Sequence, residues 1–199
     1  GKPGTVGLPL DEVEIRIDSP NAEGVGEILA KGPNIMLGYY NNPQATNEVL
    51  RDGWYHTGDL GQLDEDGMLL ICGRVKNLIV TPNGKNVYPE EIENELVRSP
   101  YILEAMVYGL KISATAEEVY AAIFPNEEKM FEYERERGKG PLTPAEVEEV
   151  IRKEVLNASK ELADYKRIKK FTLREDEFPK TTTRKIKRYV VEPQISTDN

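Results

Sequence analysis

The hydrophobic pattern of this chain changes near Arg74, and this change limits the folds available to it. Before that point, short segments such as Val13–Asp18 alternate apolar and polar residues, and turn signals such as Asp64–Gly67 separate them. Alternation with a period of two is typical of half-buried strands. After Arg74, strand-like segments alternate with amphipathic helical ones. The sequence therefore predicts an α+β fold: a strand-rich subdomain, then a small α+β domain with a short central sheet flanked by helices.

Turn and cap residues give the element boundaries. Proline at a first helical position, a preceding cap residue and glycine after a helix mark helix ends. In the first part they predict a strand within 24–32 and a short helix from Asn42–Pro43 to Leu50. In the second part they predict strands at 78–81, 104–110, 119–125 and 168–173, a turn at Asn83–Gly84, and helices at 89–98, 126–137 and 143–160.

Composition excludes several classes of protein. A single cysteine, Cys72, excludes a disulfide framework and any multi-cysteine metal site, and no metal-ligand spacing is present. No apolar stretch approaches the roughly 20 residues that span a bilayer, so we expect no transmembrane segment. The expected location is cytoplasmic, with peripheral attachment to a membrane left open. Because the chain opens on Gly1 rather than methionine, we expect a piece cut from a longer polypeptide or one left by processing.

Charge is distributed unevenly along the chain. Residues 160–199 contain 11 basic and 7 acidic side chains, whereas residues 1–159 contain 15 basic and 28 acidic ones. A basic C-terminal end would suit an anionic ligand, and it would equally suit a solvated surface. The charge pattern alone leaves both interpretations open.

Three segments concentrate small, cationic or hydroxyl residues at predicted turns. In Asp52–Gly61, Gly58 would place the carboxylate of Asp59 on a tight turn at a strand end, where it could accept hydrogen bonds from a vicinal diol such as a ribose. A purely structural Gly-Asp turn is the alternative. The single histidine, His56, has no nucleophilic partner, so we interpret it as a strand-end residue near a site.

The second segment, Gly73–Glu93, carries cations at the predicted junction of the two parts. Arg74 would leave a strand end with its fork of donors, which suits sugar hydroxyls or phosphate. Lys76 lies at the junction, where polar residues can absorb backbone rotation, and a plain surface cation is the alternative. Gly84 would let the chain of a ligand pass close to the backbone.

The third segment, Phe178–Val191, contains three threonines and five basic residues after Pro179. It predicts a mobile cationic loop that could close over an anionic group. A nucleic-acid tail is the alternative, but the segment lacks the aromatic residues that stack on bases, so we expect no nucleic acid as a partner.

Taken together and in this order, these segments resemble a known family. The motifs YHTGDLG, GRVKNLIV, NGKNVYPEEIE and PKTTTRKIKR are similar to signatures of the AMP-forming adenylating enzymes, which include acyl-CoA synthetases, adenylation domains of peptide synthetases and firefly-type luciferases. The likeness runs from VGLPL to RKIKR. The segment TPNGKNVYPEEIE is most similar to the corresponding segment of long-chain fatty acid CoA ligases of bacteria or archaea.

The resemblance implies a role for each candidate residue. Asp59 and Arg74 would bind the ribose of ATP or of the acyl adenylate, and Lys76 would be the hinge of a mobile C-terminal lid domain. Lys185 would be the catalytic lysine that bridges the carboxylate substrate and the α-phosphate, and Gly84 would face CoA. The implied reactants are ATP with Mg²⁺, a small-molecule carboxylic acid and CoA.

The resemblance also implies what this chain lacks. The phosphate-binding loop and the acyl pocket of the family belong to a large N-terminal domain, of which residues 1–73 would be the last subdomain. Residues 74–77 would be the hinge and 78–199 the lid, so we expect no overall activity from the chain alone. Arg184 stands where many members have glycine, which means that the loop either avoids a positive φ or tolerates arginine. Two alternatives remain: an adenylation domain that loads a carrier protein, and a standalone lid-like binding module.

Overall fold

The computed structural model describes residues 2–191, and these fall into two compact units that meet between Leu78 and Ile79. The predicted lid domain extends to residue 199, and residues 192–199 lie outside the described residues. The predicted boundaries of subdomain, hinge and lid remain predictions. The predicted α+β class is confirmed.

The first unit is built on one antiparallel sheet. Its elements are β1 (Glu14–Asp18), β2 (Gly26–Lys31), α1 (Pro43–Val49), β3 (Leu50–Arg51), β4 (Trp54–Leu63) and β5 (Leu69–Arg74), followed by a short 3-10 helix at Val75–Asn77. The strand order is β1-β2-β4-β3, and β5 also pairs with β4. Asn42 caps α1 by accepting a hydrogen bond from the N–H of Ala45 at 3.0 Å. The long strand β4 therefore contacts three others and is the centre of this unit.

The described part of the second unit contains a hairpin, a three-stranded sheet and several helices. Its elements are β6 (Ile79–Val80), β7 (Asn86–Val87), α2 (Pro89–Leu96), β8 (Ile102–Lys111), β9 (Glu117–Pro125), α3 (Glu127–Arg137), α4 (Pro144–Lys160) and β10 (Lys170–Leu173), with a 3-10 helix at Asp164–Lys166. Strands β8 and β9 are antiparallel, whereas β10 lies parallel to β9. The sheet order is β10-β9-β8, and β6 pairs with β7.

The sheet of the second unit buries apolar side chains in two clusters. One cluster contains Val107 and Ile123 together with side chains of α2 and α4, such as Ile92 and Ile151. The other cluster contains Met106, Tyr108, Ala122, Phe124, Phe178 and Val191. Alternate residues of β8 point to opposite faces of the sheet. The helices therefore cover one face, and residues 178–191 contribute side chains that cover the other.

Candidate functional site

Asp59 and Arg74 form an ion pair across two strands of the first unit. They are register partners on β4 and β5, and Nε of Arg74 lies 3.0 Å from Oδ1 of Asp59. The side chain of Arg74 is 57% exposed and that of Asp59 is 29% exposed. Because the pair joins Nε to one carboxylate oxygen, it leaves the two Nη groups and the second oxygen to other partners. An acceptor and several donors thus lie side by side at the surface.

The predicted strand-end turn at Gly58 and Asp59 is wrong, because both residues lie inside β4. Leu29 pairs with His56 and Glu27 pairs with Leu60, so residues 57–59 of β4 oppose Ile28 alone. Gly58 has a φ of +70°, a conformation that glycine adopts without strain. This irregularity is a β-bulge, and bulges commonly re-aim a side chain.

Side chains missed by the sequence interpretation hold this bulge in place. The N–H of Gly58 donates to Oε1 of Glu27 at 3.1 Å. Oγ1 of Thr57 donates to the C=O of Ile28 at 2.8 Å and accepts the N–H of Asp59 at 3.0 Å. Thr57 lies within a recognised motif, but Glu27 is 31 residues before Gly58 and no local pattern indicates it.

Two further residues lie beside the bulge. His56 is the third residue of β4 rather than a strand-end residue, and its Nδ1 lies 3.0 Å from Oε2 of Glu27. Burial raises the pKa of Tyr55, and the hydrogen-bonded Tyr39 and the carboxylate of Asp59 act in the same direction. Tyr55 is a neutral hydrogen-bonding group beside Asp59 near pH 7, and its raised pKa keeps it neutral in more alkaline solution as well.

Lys76 is exposed in the short 3-10 helix Val75–Asn77. The division between the two units comes two residues later, after Leu78. The N–H of Leu78 donates to the C=O of Val75 at 3.4 Å, a long hydrogen bond. The role of Lys76 as a pivot remains a prediction.

Gly84 and Lys185 lie on two separate hairpin turns of the same construction, Thr81–Lys85 and Thr181–Lys185. In each turn the N–H of the threonine donates to the C=O of the lysine, at 3.0 and 2.8 Å, and the N–H of the fourth residue donates back to the C=O of the threonine, at 2.8 and 2.9 Å. The N–H of each lysine also donates to the threonine Oγ1 at 3.1 Å. The threonine hydroxyl thus substitutes for a backbone partner in both turns.

The fourth residue of each turn adopts a left-handed conformation. Gly84 has a φ of +69° and Arg184 has a φ of +62°. Positive φ is unstrained for glycine and costs free energy for most other residues. The loop that carries Lys185 therefore requires a positive φ, and arginine tolerates it.

The side chain of Lys185 is exposed at the tip of its turn, and within residues 2–191 it forms no ion pair. The base of the loop is different. Lys180 forms ion pairs with Glu104 and, at 2.8 Å, with Glu177, and these partners raise its pKa. Lys180 and Ile186 are bridge partners that close the hairpin. The predicted mobile loop is thus anchored at its base.

A second anchor lies beyond the tip. Nη1 of Arg188 donates to the C=O of Val107 at 2.6 Å, and Nη2 pairs with Glu93. Oε1 of Glu93 also accepts the N–H of Val107 at 2.7 Å. Burial raises the pKa of Glu93, while the guanidinium of Arg188 opposes that shift. The ion pair of Arg188 and Glu93 is therefore largely buried at the edge of the sheet, and each side chain offsets the charge of the other.

Comparison with known proteins identifies relatives of this chain. Residues 91–185 match the AMP-binding enzyme C-terminal domain. The chain is 45% identical over 115 residues to a 2-succinylbenzoate–CoA ligase of Bacillus mycoides, and 34% identical over 190 residues to a long-chain-fatty-acid–CoA ligase of Yersinia pestis. These alignments cover 55% and 93% of this chain.

A solved structure shows the same fold. The o-succinylbenzoate CoA synthetase of Bacillus subtilis, in complex with its acyl-adenylate intermediate, superposes with a TM-score of 0.74 at 31% identity over 95% of this chain. The present chain spans 35% of that protein, and it spans 23% and 30% of the two ligases above. Among residues 2–191, no helix has the length and apolar character needed to cross a membrane.

Proposed function

Since this chain belongs to the AMP-forming acyl-CoA synthetases, whose C-terminal part it matches, we propose that it supplies that part of an ATP-dependent carboxylate–CoA ligase. The proposed reaction has two steps. The carboxylate attacks the α-phosphate of ATP to give acyl-AMP and pyrophosphate, and the thiol of CoA then displaces AMP to give the thioester. The remainder of the ligase would hold the triphosphate and the acyl group.

The observation that carries this proposal is the exposed lysine at the tip of an anchored hairpin. Negative charge accumulates where the carboxylate approaches the α-phosphate, and a cation placed there stabilises the transition state. Lys185 is available for this role because its ammonium forms no ion pair within the described part of the chain, whereas Lys180 and Arg188 are occupied. One well-placed donor of this type lowers the activation barrier by roughly 3 to 4 kcal/mol.

The ribose of ATP fits the pair on the first unit. Two neighbouring hydroxyls need an acceptor and a donor close together, and Asp59 and Arg74 present both 3.0 Å apart at the surface. The bulge at Gly58 aims the carboxylate of Asp59 to the same side as Arg74. Tyr55, a neutral phenol near pH 7, adds a further hydrogen-bonding group beside them.

We further propose that Lys76 is the pivot of a hinge at residues 74–77 and that Gly84 faces the CoA arm. A Cβ added to Gly84 would meet nothing within 4 Å, so the backbone of this turn is open to a ligand chain. Mg²⁺ would enter with ATP. Residues 2–191 contain no cluster of three or more potential metal ligands, and we assign none of them to the ion.

For the carboxylic acid we propose a long-chain fatty acid. The support is the broad alignment with the Yersinia pestis ligase, which includes 93% of this chain. Other relatives act, by their names, on 2-succinylbenzoate and ferulate, so the acid requires a direct test. A panel of palmitate, 2-succinylbenzoate and ferulate, scored by AMP release from the complete ligase, would distinguish them. Preference for an aromatic acid would contradict this part of the proposal.

The role of Lys185 is tested by measuring the two half-reactions separately in the complete ligase. We expect Lys185→Ala to lower adenylate formation, measured as pyrophosphate release, by about 100-fold or more, which corresponds to losing one donor to the transition state. Thioester formation from supplied acyl-AMP and CoA should stay within about threefold of wild type, because the proposed role of Lys185 is confined to the first half-reaction.

Lys139 is a matched control, since it is exposed in the loop after α3 and forms no ion pair within the described residues. We expect Lys139→Ala to leave both half-reactions unchanged. An equal loss of both half-reactions in Lys185→Ala would contradict the role assigned to this lysine. Transfer to a carrier protein but not to free CoA would favour the alternative of a carrier-loading domain.

A further inference from the structure

Four of the five cations in the segment Phe178–Val191 are of two kinds. Arg184 and Lys185 are exposed at the tip of the loop. Lys180 and Arg188 lie at its base, where their side chains are only 28% and 17% exposed, and they pair with Glu104 of β8 and Glu93 of α2. The two basal cations are therefore occupied by the protein itself, and an incoming anion would have to displace those carboxylates to reach them.

Arg188 and Glu93 together satisfy the free edge of β8. Strand β9 pairs with one side of β8, and the N–H and C=O of Val107 face the other side. An unpaired backbone group at such an edge normally needs water or another strand. Glu93 accepts the N–H at 2.7 Å and Arg188 donates to the C=O at 2.6 Å, so the two side chains replace a neighbouring strand at that residue.

This contact fixes the position of the loop as well as the edge of the sheet. Arg188 comes three residues after Lys185, and Ile186 and Val191 on either side of it pack in the cluster of Phe178 and Tyr108. On the other arm of the hairpin, Oε2 of Glu104 accepts the N–H of Phe178 at 3.1 Å. Both arms thus attach to β8, and only residues 181–185 extend beyond the attachments.

We propose that Arg188, held by Glu93, is a positioning residue that fixes the hairpin carrying Lys185, and that it does not bind the anionic substrate. The inference rests on the proposed function of Lys185. Substitution of Arg188 should therefore slow adenylate formation and spare thioester formation. Only the first half-reaction depends on where the tip of the loop places the ammonium group of Lys185. Misplacement of a reacting group by about 1 Å costs on the order of 100-fold in rate.

The first measurement compares half-reactions in the complete ligase. We expect Arg188→Met to slow adenylate formation by at least about tenfold and up to about 100-fold, with thioester formation from supplied acyl-AMP within about threefold of wild type. Arg188→Lys should give an intermediate rate, because one ammonium cannot reach both acceptors as a guanidinium does. Arg167→Met is the control, since Arg167 is exposed and, within residues 2–191, its ion pair is with Asp164 of its own turn.

The second measurement monitors the tip directly and does not depend on activity. A nitroxide label on Lys185→Cys, in the 199-residue chain with Cys72→Ser, reports the mobility of the hairpin by electron paramagnetic resonance. We expect Arg188→Met to give a more mobile spectrum, Arg188→Lys an intermediate one, and Arg167→Met no change. Circular dichroism of the same samples reports the folded fraction. The two measurements together therefore distinguish a loosened tip from a general loss of stability.

The outcomes distinguish this inference from the proposed function. If Lys185→Ala leaves adenylate formation intact, the proposed function is wrong, and the spectra alone then decide whether Arg188 orders the tip. If Lys185→Ala is inactive but Arg188→Met slows both half-reactions equally, the positioning role is overturned. An unchanged spectrum in Arg188→Met overturns it as well. A selective loss together with a mobile tip supports it.

Discussion

Replacing Arg184 with glycine should stabilise the loop that carries Lys185. Arg184 has a φ of +62°, and this conformation costs a residue with a Cβ about 1 to 2 kcal/mol. Glycine removes that cost but loses about 0.5 to 1 kcal/mol because its unfolded chain is more flexible. The net gain is therefore about 0.5 to 1 kcal/mol. The mirror change, Gly84→Ala in the equivalent turn, should lose a similar amount, because its new Cβ meets nothing within 4 Å and adds no clash.

Thermal unfolding of the 199-residue chain, monitored by circular dichroism, would measure both changes. A difference of this size shifts the melting temperature by about 1 to 4 °C in a chain of this length. Gly84→Asn is the control for side-chain size, since asparagine tolerates the left-handed region and should cost less than alanine. If Arg184→Gly destabilises the chain, or if Gly84→Asn costs as much as Gly84→Ala, backbone conformation is not the controlling factor and the reasoning fails.

Two further predictions concern single carboxylates. The backbone N–H of Thr143, and then Arg137, lower the pKa of Glu146 from 4.5 to about 2, so its stabilising effect is present above pH 4.5 and is lost as the pH falls towards 2. The melting temperature of Glu146→Gln should lie below that of wild type at pH 7 and approach it near pH 2. The exposed control Glu148→Gln should show a smaller difference at pH 7. A difference between Glu146→Gln and wild type that does not change with pH would contradict this reasoning. In the complete ligase, Asp59→Asn should weaken ATP binding by about tenfold in calorimetry, or 1.4 kcal/mol, against no change for Asp18→Asn; equal affinities would remove Asp59 from the ribose site.

Helix boundaries were predictable because they depend on neighbouring residues. Thr143 and Glu146 form a capping box, and the helix that they begin ends at Lys160 as predicted. Helix α3 ends where Gly138 adopts a left-handed conformation. Each of these signals lies within four residues of the boundary it sets, so the sequence contains the whole of the physical cause.

Long-range partners could not be predicted in the same way. Glu27 holds the bulge that aims Asp59, and Glu104 holds Lys180, 76 residues later in the chain. Strand β10 likewise pairs in parallel with β9, and its Phe171 and Leu173 pack against the cluster that contains Ile151 and Val155 of α4, far from β10 in the sequence. A register shift of the kind found at Gly58 depends on which strand lies opposite, and the sequence of β4 does not specify that strand.

The same limit applies to the charged residues in the loop of Lys185. Counted along the sequence, the five basic residues of the loop are equivalent cations: Lys180, Arg184, Lys185, Lys187 and Arg188. The fold makes them different, because Glu104 and Glu93 lie under the two ends of the hairpin, and among residues 2–191 no carboxylate pairs with Lys185 at its tip. An occupied cation fixes the backbone, and an unoccupied one can meet a developing negative charge and withdraw afterwards. In this loop the ion pairs of Lys180 and Arg188 hold the backbone in place, and the charge of Lys185 stays available for the proposed reaction.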